Sequence, residues 1–435
     1  MYMKKILKYV LKILARRQLR AHRPRLVGLT GSVGKTSAKE AIYAVLKNHF
    51  TVRRNIKNYN NELGVPLTII GAESAGHSWL GWLKIIFRAI LTGPKDEYPQ
   101  ILILEMGVDH PGDLDYFSDF IRTRVALITA IGPAHLEFFG TLEQIKNEKQ
   151  KIFRNLIPDG QAILNADTIF AKEITKDYPG RIFSYGLKDK TDFQAKEIRF
   201  SLGPRGQNGL KAFENEIGIS FKLIHKGSAV PVFLPGFFGH NAVYAALAGA
   251  AVGVSFGLNL IEIAIGLKEF KPPKGRMNLL AGLNGSLIVD DTYNASPLSM
   301  ANGLEDTAAN FSRKYRKIAV LGDMLELGPD RVKEHEKIGA LVANLEYDFL
   351  AAIGDLAGNY IQGAQRSGFP EKKLLHFKNH DEALDFLWRE LKNNDIIYVK
   401  GSQGARMEKI VKGLMPEPAQ AAACLVRQEK EWQEK

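Results

Sequence analysis

Cysteine is almost absent from this sequence, with Cys424 the single example among 435 residues. One thiol excludes a disulfide framework within the chain and fits a reducing cytoplasm. Long apolar runs are also missing, because no stretch reaches the roughly 18 residues that a membrane-spanning helix needs. The remaining composition, 45% hydrophobic and 24% charged, is typical of a globular protein, and the length indicates two or three domains.

Acidic residues are absent from the first 25 positions, which hold nine lysines and arginines. Most of the net charge of +12 belongs to this arm, so we expect no nucleic-acid partner. Apolar residues recur there at helical spacing, which predicts a short basic amphipathic helix over residues 1–24. This helix either makes a peripheral contact with an anionic membrane or packs on the domain behind it. The second interpretation is favoured, because one short basic helix binds lipid weakly.

Short apolar strands alternate with helices through most of the chain. The pattern predicts an α/β fold in which residues 25–274 form a central domain with a mostly parallel sheet. Residues 275–435 are predicted to form a C-terminal Rossmann-like α/β domain. Strands with Gly- and Asn-containing turns predict an antiparallel appendage at about 190–235. Two adjacent prolines in Phe270–Gly275 predict the linker between the domains.

The segment Ser78–Leu91 is unusually rich in Trp, Leu, Ile and Phe, and Lys84 and Arg88 are its only charged residues. It predicts a helix that is either buried in the core or exposed at a partner or membrane interface. The core is favoured, because large apolar side chains are most often buried.

A glycine loop lies between the first predicted strand and a predicted helix, with the sequence TGSVGKT. Glycines let backbone N–H groups face an anion, Lys35 neutralises charge, and the Thr36 hydroxyl can bind Mg²⁺. Leu29 occupies the place where the longer G-x-x-x-x-G-K-[ST] pattern requires glycine, so the loop is a variant. We expect ATP phosphates to bind at Gly31, Ser32, Val33, Gly34, Lys35 and Thr36, which makes the central domain over residues 25–274 a P-loop ATP-binding domain.

Other polar residues follow strands at the same predicted edge of the sheet, where ligands of parallel sheets bind. Glu105 ends the apolar strand ILILE, and His135 follows another strand. Mg²⁺ prefers oxygen ligands, so Thr36 and Glu105 are natural partners for it. Taken alone, His135 indicates a hydrogen-bonding loop residue, and the lysine-rich helix that contains Lys149 indicates a solvated face.

Nine stretches between residues 30 and 408 resemble the Mur ligase family, in that family's order. They are Thr30–Thr36 (TGSVGKT), Asn58–Thr68 (NYNNELGVPLT), Leu104–Gly112 (LEMGVDHPG), Ile128–Gly140 (ITAIGPAHLEFFG), Gly239–Asn241 (GHN), Gly275–Met277 (GRM), Asp290–Met300 (DDTYNASPLSM), Leu321–Gly328 (LGDMLELG) and Lys400–Glu408 (KGSQGARME). NNELGVPLT, DDTYNASP and LGDMLELG favour the members that add D-Ala-D-Ala.

The resemblance implies an ATP-dependent amide ligase of peptidoglycan and cell-wall synthesis. Such an enzyme joins D-Ala-D-Ala to the carboxylate of a UDP-MurNAc-tripeptide-like acceptor through an acyl phosphate, and it releases ADP and phosphate. One alternative is a ligase of the same design that acts on a polyglutamate or another peptide carboxylate. A second alternative is a non-catalytic nucleotide-binding subunit. The presence of all the catalytic residues that the family implies argues against it. We expect a cytoplasmic monomer.

The resemblance also implies a role for single residues. The implied catalytic residues are Lys35, His135, Lys149 and Arg276. ATP would contact the glycine loop and His240, Asn241, Arg276, Asp291 and Asn294. Two Mg²⁺ ions would bind Thr36, Glu105, His135 and Lys149, the last as a carbamate because an ammonium cannot bind a cation. The substrates would contact Asn60, Asn61, Lys400 and Ser402.

The sequence departs from the family pattern at three places. Tyr244 replaces the second Asn of a His-Asn-x-x-Asn motif, and Gln403 stands where arginine is common. Only about 25 residues precede the glycine-loop strand, whereas the family carries a domain there that holds the UDP-sugar. We therefore expect an adenine contact to be remade and the UDP end to be bound in another way.

Overall fold

The chain forms two sheets that share no strand, each covered by helices on both faces. The computed structural model describes residues 2–56, 59–93, 96–201, 217–429 and 432. Asn58 of the predicted motif NYNNELGVPLT and Leu202, the end of a predicted strand Phe200–Leu202, lie outside these residues. The predicted α/β class with two sheet-based halves is confirmed.

The first sheet has nine strands in the order β2-β3-β1-β4-β5-β6-β7-β8-β9. They are β1 (Arg25–Thr30), β2 (Val52–Arg54), β3 (Ile101–Glu105), β4 (Thr123–Ile128), β5 (Leu156–Asn165), β6 (Ile182–Gly186), β7 (Phe193–Ser201), β8 (Gly218–His225) and β9 (Ser228–Pro235). β2 to β7 pair in parallel, and β7, β8 and β9 pair antiparallel. Because β7 pairs with β6, the predicted appendage is a continuation of the main sheet.

Ten helices accompany this sheet within the described residues. They are α1 (Tyr2–His22), α2 (Lys35–Leu46), α3 (Gly64–Ile70), α4 (Trp79–Leu91), α5 (Asp113–Ser118), α6 (Leu136–Phe139), α7 (Leu142–Gln150), α8 (Ala171–Asp177), α9 (His240–Ser255) and α10 (Leu260–Lys268). The alanine-rich α9 packs against α2 so closely that a Cβ on Gly249 would lie 3.2 Å from the Ala41 carbonyl carbon. This contact fixes the helix that follows the glycine loop against the sheet.

The predicted basic helix is confirmed as α1, and one of its faces packs on the domain. Leu11, Leu14 and Ala15 are buried. On the same side Lys8 pairs with Glu62, and Lys12 lies 2.5 Å from Asp119. These contacts bear out the packing interpretation for the inner face, while the opposite face remains exposed.

The favoured interpretation of Ser78–Leu91 as a core helix is wrong. The segment forms α4, in which only Ala89 is buried, while the side chains of Trp79 and Phe87 are 68% and 64% exposed. Apolar residues lie on both the inner and the outer side of this helix, so periodicity could not show which face meets the protein. Among the described residues, no helix has both the length and the apolar character to cross a bilayer.

The second sheet has six strands in the order β10-β11-β15-β12-β13-β14, parallel except for β10. They are β10 (Asn278–Ala281), β11 (Leu287–Asp290), β12 (Lys317–Gly322), β13 (Phe349–Ile353), β14 (Leu374–Phe377) and β15 (Ile396–Lys400). The helices are α11 (Pro297–Asn310), α12 (Arg331–Asn344), α13 (Gly358–Arg366), α14 (His380–Glu390), α15 (Glu408–Leu414) and α16 (Ala421–Cys424). Two apolar layers, one on each face, bury this sheet.

Candidate nucleotide and substrate site

The glycine loop turns sharply between β1 and α2 because its glycines permit close packing. Gly34 has φ 86° and precedes the first residue of α2. A Cβ on Gly31 would lie 2.0 Å from the Thr129 hydroxyl, so no side chain fits there. The Ser32 N–H donates to the Ala130 carbonyl at 2.6 Å, and the Thr129 hydroxyl donates to the Val33 carbonyl at 2.6 Å. The loop is therefore held in one conformation at the helix N-terminus, an arrangement suited to an anion.

Lys35 is bent back over this loop. Its ammonium donates to the Gly31 carbonyl at 2.6 Å, and burial lowers the pKa of the amine. Glu105 and Asp109 oppose this shift, whereas Arg276 of the second half adds to it. A polyphosphate at the loop would place further negative charge beside the Lys35 ammonium and so offset the effect of burial on its charged form.

Glu105 is the centre of a second cluster, and the structure brings it to Thr36 as the sequence predicts. The Thr36 hydroxyl donates to the Glu105 carboxylate at 3.4 Å, and the Asn60 amide donates at 3.3 Å. Lys39, which sequence reasoning missed, is buried 3.4 Å from the same carboxylate. Its position one helical turn after Lys35 is the signal that could have identified it.

His135 lies between the two halves of the molecule. Its backbone is left-handed, with φ 54°. One ring nitrogen, Nε2, is 3.2 Å from Asp109, and the other, Nδ1, is 2.7 Å from Glu326, which follows β12 of the second sheet. The imidazole lowers the pKa of Glu326. The predicted site residue is thus joined to two carboxylates that sequence reasoning did not select.

Lys149 is 1% exposed, so the interpretation of its helix as a solvated face is wrong for this residue. Burial, followed by the charge of Lys35, lowers the pKa of Lys149 to about 7. Within the described residues Lys149 forms no ion pair, although Asp109 acts on it through space. Lys149 lies on the face of α7 that turns toward α5 and the glycine loop, because Asp113 of α5 and Lys35 both act on its amine.

A cavity of about 290 Å³ opens beside the glycine loop and is lined by Val33, Gly34, His240, Asn241, Tyr244 and Asp306, among others. The His240 N–H donates to Asp306 at 2.9 Å, and the same carboxylate raises the pKa of the His240 ring. The Tyr244 hydroxyl donates to Asp167 at 2.9 Å. The second oxygen of Asp167, Oδ1, is buried without a partner in the described chain, so it can accept a hydrogen bond from a ligand.

A larger cavity of about 730 Å³ lies on the other side of the loop, lined by Thr36, Lys39, Asn61, Arg276, Tyr293 and Gln403, among others. The Arg276 guanidinium lies 4.1 Å from the centroid of the Tyr293 ring. Its Nε is buried without a partner among the described residues. Arg276 therefore keeps an unused donor at the wall of a cavity that also reaches Thr36.

Four predicted contact residues from the second half of the molecule, Asp291, Asn294, Lys400 and Ser402, line neither cavity. Lys400 is fully buried and donates to the Asp291 carboxylate at 2.6 Å and to the Asn294 carbonyl at 2.8 Å. The Ser402 hydroxyl accepts the Leu325 N–H at 2.9 Å. Because Lys400 joins Asp291 to Asn294 and the Ser402 hydroxyl donates to the Ala295 carbonyl at 3.5 Å, Lys400 and Ser402 support the loop that carries Tyr293.

Oxygen ligands for a divalent cation are few in this site. In the part of the chain that the structure describes, no group of three His, Cys, Asp or Glu side chains is arranged so that it could hold a metal ion. The Thr36 hydroxyl and the Glu105 carboxylate are nevertheless adjacent at the glycine loop. That pair suits Mg²⁺, which in phosphate-binding sites uses one or two protein oxygens and takes the rest from the substrate and water.

Comparison with known proteins shows which family combines these features. The Mur ligase middle domain matches residues 84–252, and the Mur ligase, glutamate ligase domain matches residues 275–403. The UDP-N-acetylmuramoyl-tripeptide–D-alanyl-D-alanine ligase of Bacillus subtilis is 29% identical over 94% of this chain and 79% of its own length. The enzyme of the same name from Buchnera aphidicola subsp. Baizongia pistaciae is 30% identical over 90% of this chain and 75% of its own.

Solved structures agree with these matches. MurF from Acinetobacter baumannii superposes with a TM-score of 0.77 and 28% identity, covering 94% of this chain and 81% of that one. MurF ligase from Thermotoga maritima in complex with ADP gives a TM-score of 0.75 and 26% identity, covering 95% and 84%. The chain therefore belongs to the Mur ligase family, whose members are ATP-dependent ligases.

Proposed function

We propose that this chain joins D-Ala-D-Ala to the terminal carboxylate of a UDP-MurNAc-tripeptide-like acceptor and converts ATP to ADP and phosphate. The observation that carries the proposal is the cluster of the cations Lys35, Lys149 and Arg276 around the glycine loop, where residues from both halves of the molecule meet and Lys149 is fully buried. The curated relatives named for this reaction and the MurF structures support the choice of substrates.

Bound ATP would extend from the glycine loop into the smaller cavity beside it. The loop amides and Lys35 would hold the phosphates, and the smaller cavity would hold the adenosine beside His240 and Asn241. The free oxygen of Asp167 can accept a hydrogen bond from the adenine amino group. Because the Tyr244 hydroxyl occupies the other oxygen of Asp167, we infer that this pair remakes the adenine contact that the missing second Asn would provide.

Mg²⁺ would bind Thr36 and Glu105 together with ATP phosphates, and a second Mg²⁺ would bind His135 and a carbamate on Lys149. The ions supply charge neutralisation at the phosphate oxygens. A carbamate forms when the neutral amine attacks CO₂ and loses a proton, so a pKa of about 7 leaves Lys149 reactive above neutral pH. The charge of Lys35, which acts on this amine, would stabilise an anionic carbamate at the same position.

The chemistry needs no nucleophile from the protein. An oxygen of the acceptor carboxylate attacks the γ-phosphorus, the bond to the ADP oxygen breaks, and an acyl phosphate forms. The amine of D-Ala-D-Ala then attacks the acyl carbon, the C–O bond to phosphate breaks, and the amine proton leaves to solvent or phosphate. Lys35 and Arg276 would stabilise the charge that builds up on the transferred phosphoryl group. Packing of the second half over the loop would keep water from the acyl phosphate.

The larger cavity is the proposed place for the acceptor peptide and the dipeptide. Asn61 lines it directly, and Asn60 would act at its edge while it holds Glu105. We assign Lys400 and Ser402 a positioning role, because both donate to carbonyls of the loop that carries Tyr293, at Asn294 and Ala295. Asp291 and Asn294 would approach the nucleotide through that loop and not as wall residues of the cavity.

An omission series tests the reaction. Purified protein with ATP and Mg²⁺ should release phosphate only when both D-Ala-D-Ala and UDP-MurNAc-tripeptide are present. Lys35→Ala should lower this rate by about 100-fold or more, whereas Lys172→Ala at an exposed position should not change it. Turnover with a different carboxylate and none with this acceptor would instead support another substrate, and no turnover with any acceptor would overturn the proposal.

A further inference from the structure

The outward face of α4 is an apolar stripe that no other part of the described chain covers. Trp79, Leu80, Leu83, Phe87, Ile90 and Leu91 are all exposed. At 100° per residue they fall within about one third of the helix circumference, and Ala89 lies on the opposite side. Lys84 and Arg88 border one edge of this stripe. Large apolar patches with polar rims mark sites of interaction.

The outward face of α1 has the same character. Ile6, Tyr9 and Ile13 are exposed along one side, with Lys5, Arg16 and Arg20 on the same side. The inward lysines of α1 pair with carboxylates, whereas none of these three outward cations does so within the described residues. Neither α1 nor α4 contains an acidic residue.

The two helices join into one surface. The Arg17 guanidinium, on the outward side of α1, donates to the Ile90 carbonyl at 2.5 Å. The buried Gln18 amide donates to the Ala89 carbonyl at 2.8 Å. These bonds attach the C-terminal end of α4 to the last turns of α1, so the apolar stripes and their cations adjoin each other.

We propose that α1 and α4 together form a docking surface for an anionic lipid bilayer. Exposed Trp, Phe and Leu side chains suit the boundary between headgroups and acyl chains, and the unpaired Lys and Arg side chains suit lipid phosphates. Two linked elements overcome the weakness of a single basic helix. A helix of 13 residues is too short to cross the membrane and would lie in its plane.

Charge favours lipid over a second copy of the chain. A symmetric dimer through this surface would bring two sets of cations together without any acid from either helix to pair with them. An anionic bilayer offers the complementary charge over the whole surface. No residue of α1 or α4 lines either cavity of the site, so attachment would leave the reaction unchanged and would place it beside the membrane.

Vesicle sedimentation of the full chain tests the proposal. We expect binding to vesicles of equal parts phosphatidylcholine and phosphatidylglycerol, weaker binding at high salt, and little binding to phosphatidylcholine alone. The double variant Leu83→Ser/Phe87→Ser should lower the affinity by about tenfold or more, and Lys84→Ser/Arg88→Ser should remove most of the preference for anionic lipid. The matched control Ile261→Ser/Ile265→Ser, at exposed apolar positions of α10, should bind like the wild type.

Two results would overturn the proposal. One is equal sedimentation of the wild type with and without anionic vesicles. The other is a dimer in light scattering that Leu83→Ser/Phe87→Ser dissolves, with no vesicle binding by the wild type, because the surface would then pair two copies. Thermal melting of every variant confirms that it is folded, and soluble ligase activity should remain at the wild-type level in all of them.

Discussion

At the scale of single residues, burial of the Lys149 amine lowers the free energy of unfolding of the protein. This amine has almost no contact with solvent and no ion pair in the described chain. The folded pKa of about 7 lies below the unfolded value of 10.5. The unfolded chain therefore binds more protons between these two values, and stability rises with pH across that window. The cost of burying the amine is greatest below pH 7.

We predict that Lys149→Met separates stability from activity. In the absence of bicarbonate the free energy of unfolding at pH 6, measured with urea, should rise by roughly 2–4 kcal/mol, and the gain should shrink as pH increases toward 10.5. Ligation should be almost lost. The control Lys172→Met, at an exposed position, should change neither quantity. Full activity in Lys149→Met would rule out the carbamate.

Asp167 is predicted to determine the affinity for adenine. Asp167→Asn removes the free carboxylate oxygen, so the KM for ATP should rise about tenfold with kcat nearly unchanged. Purine riboside triphosphate, which lacks the amino group, should bind both forms equally well. Steady-state kinetics with the two nucleotides measures the difference. An equal loss for both nucleotides would mean that Asp167 only shapes the cavity.

The residues that end parallel strands were the predictable part of the site. Thr36 and Glu105 meet because Thr36 follows β1, Glu105 ends β3, and these two strands are neighbours. The apolar pattern predicts each strand and the residue at which it ends. The partners that come from the other half were not predictable, because Glu326 reaches His135 only where the two sheets pack together. Spacing also could not show that Lys400 would be buried and paired.

At the scale of elements, a carboxylate of α11 binds the first residue of α9. Asp306 of α11 accepts the backbone N–H of His240 at the start of α9 and pairs with its ring. This contact raises the pKa of His240 above its ordinary value of 6.5. Its stabilising effect is therefore complete below pH 6.5 and is lost as pH rises through the higher folded pKa.

We predict that Asp306→Asn makes the stability of the protein less dependent on pH. The melting temperature of the variant should be lower than that of the wild type at pH 6, and the gap should narrow as pH rises toward 8. Thermal unfolding across this range measures the gap, with Asp189→Asn on an exposed turn as the control. A gap that widens with pH would show that the His240–Asp306 pair is not the source.

Helix α4 shows the limit of hydrophobic pattern as a guide to burial. Its composition is that of a core helix, yet its only buried residue is Ala89. The strands were easier to predict, because β3, β11 and β13 are short apolar runs, and the predicted strand ILILE that ends at Glu105 is confirmed as β3. Periodicity locates an element, whereas its partner is decided by long-range packing that a local pattern does not contain.

At the scale of the whole molecule, the site exists only where the two sheets meet. The glycine loop belongs to the first sheet, Arg276 and Tyr293 belong to the second half, and His135 with Glu326 bridges them. The Lys274 ammonium also donates to the Ala422 carbonyl at 2.8 Å, which ties the linker to the C-terminal segment. This arrangement encloses the place where an acyl phosphate would form.

Transfer of oxygen from the acceptor to phosphate is the most direct test of that account. The measurement uses acceptor tripeptide labelled with ¹⁸O in its terminal carboxylate, together with ATP, Mg²⁺ and D-Ala-D-Ala, and mass spectrometry of both products. Attack of the carboxylate on ATP predicts one ¹⁸O atom in each phosphate released and the other in the new amide carbonyl. Phosphate without label, whether or not the dipeptide is joined, would contradict the acyl-phosphate mechanism.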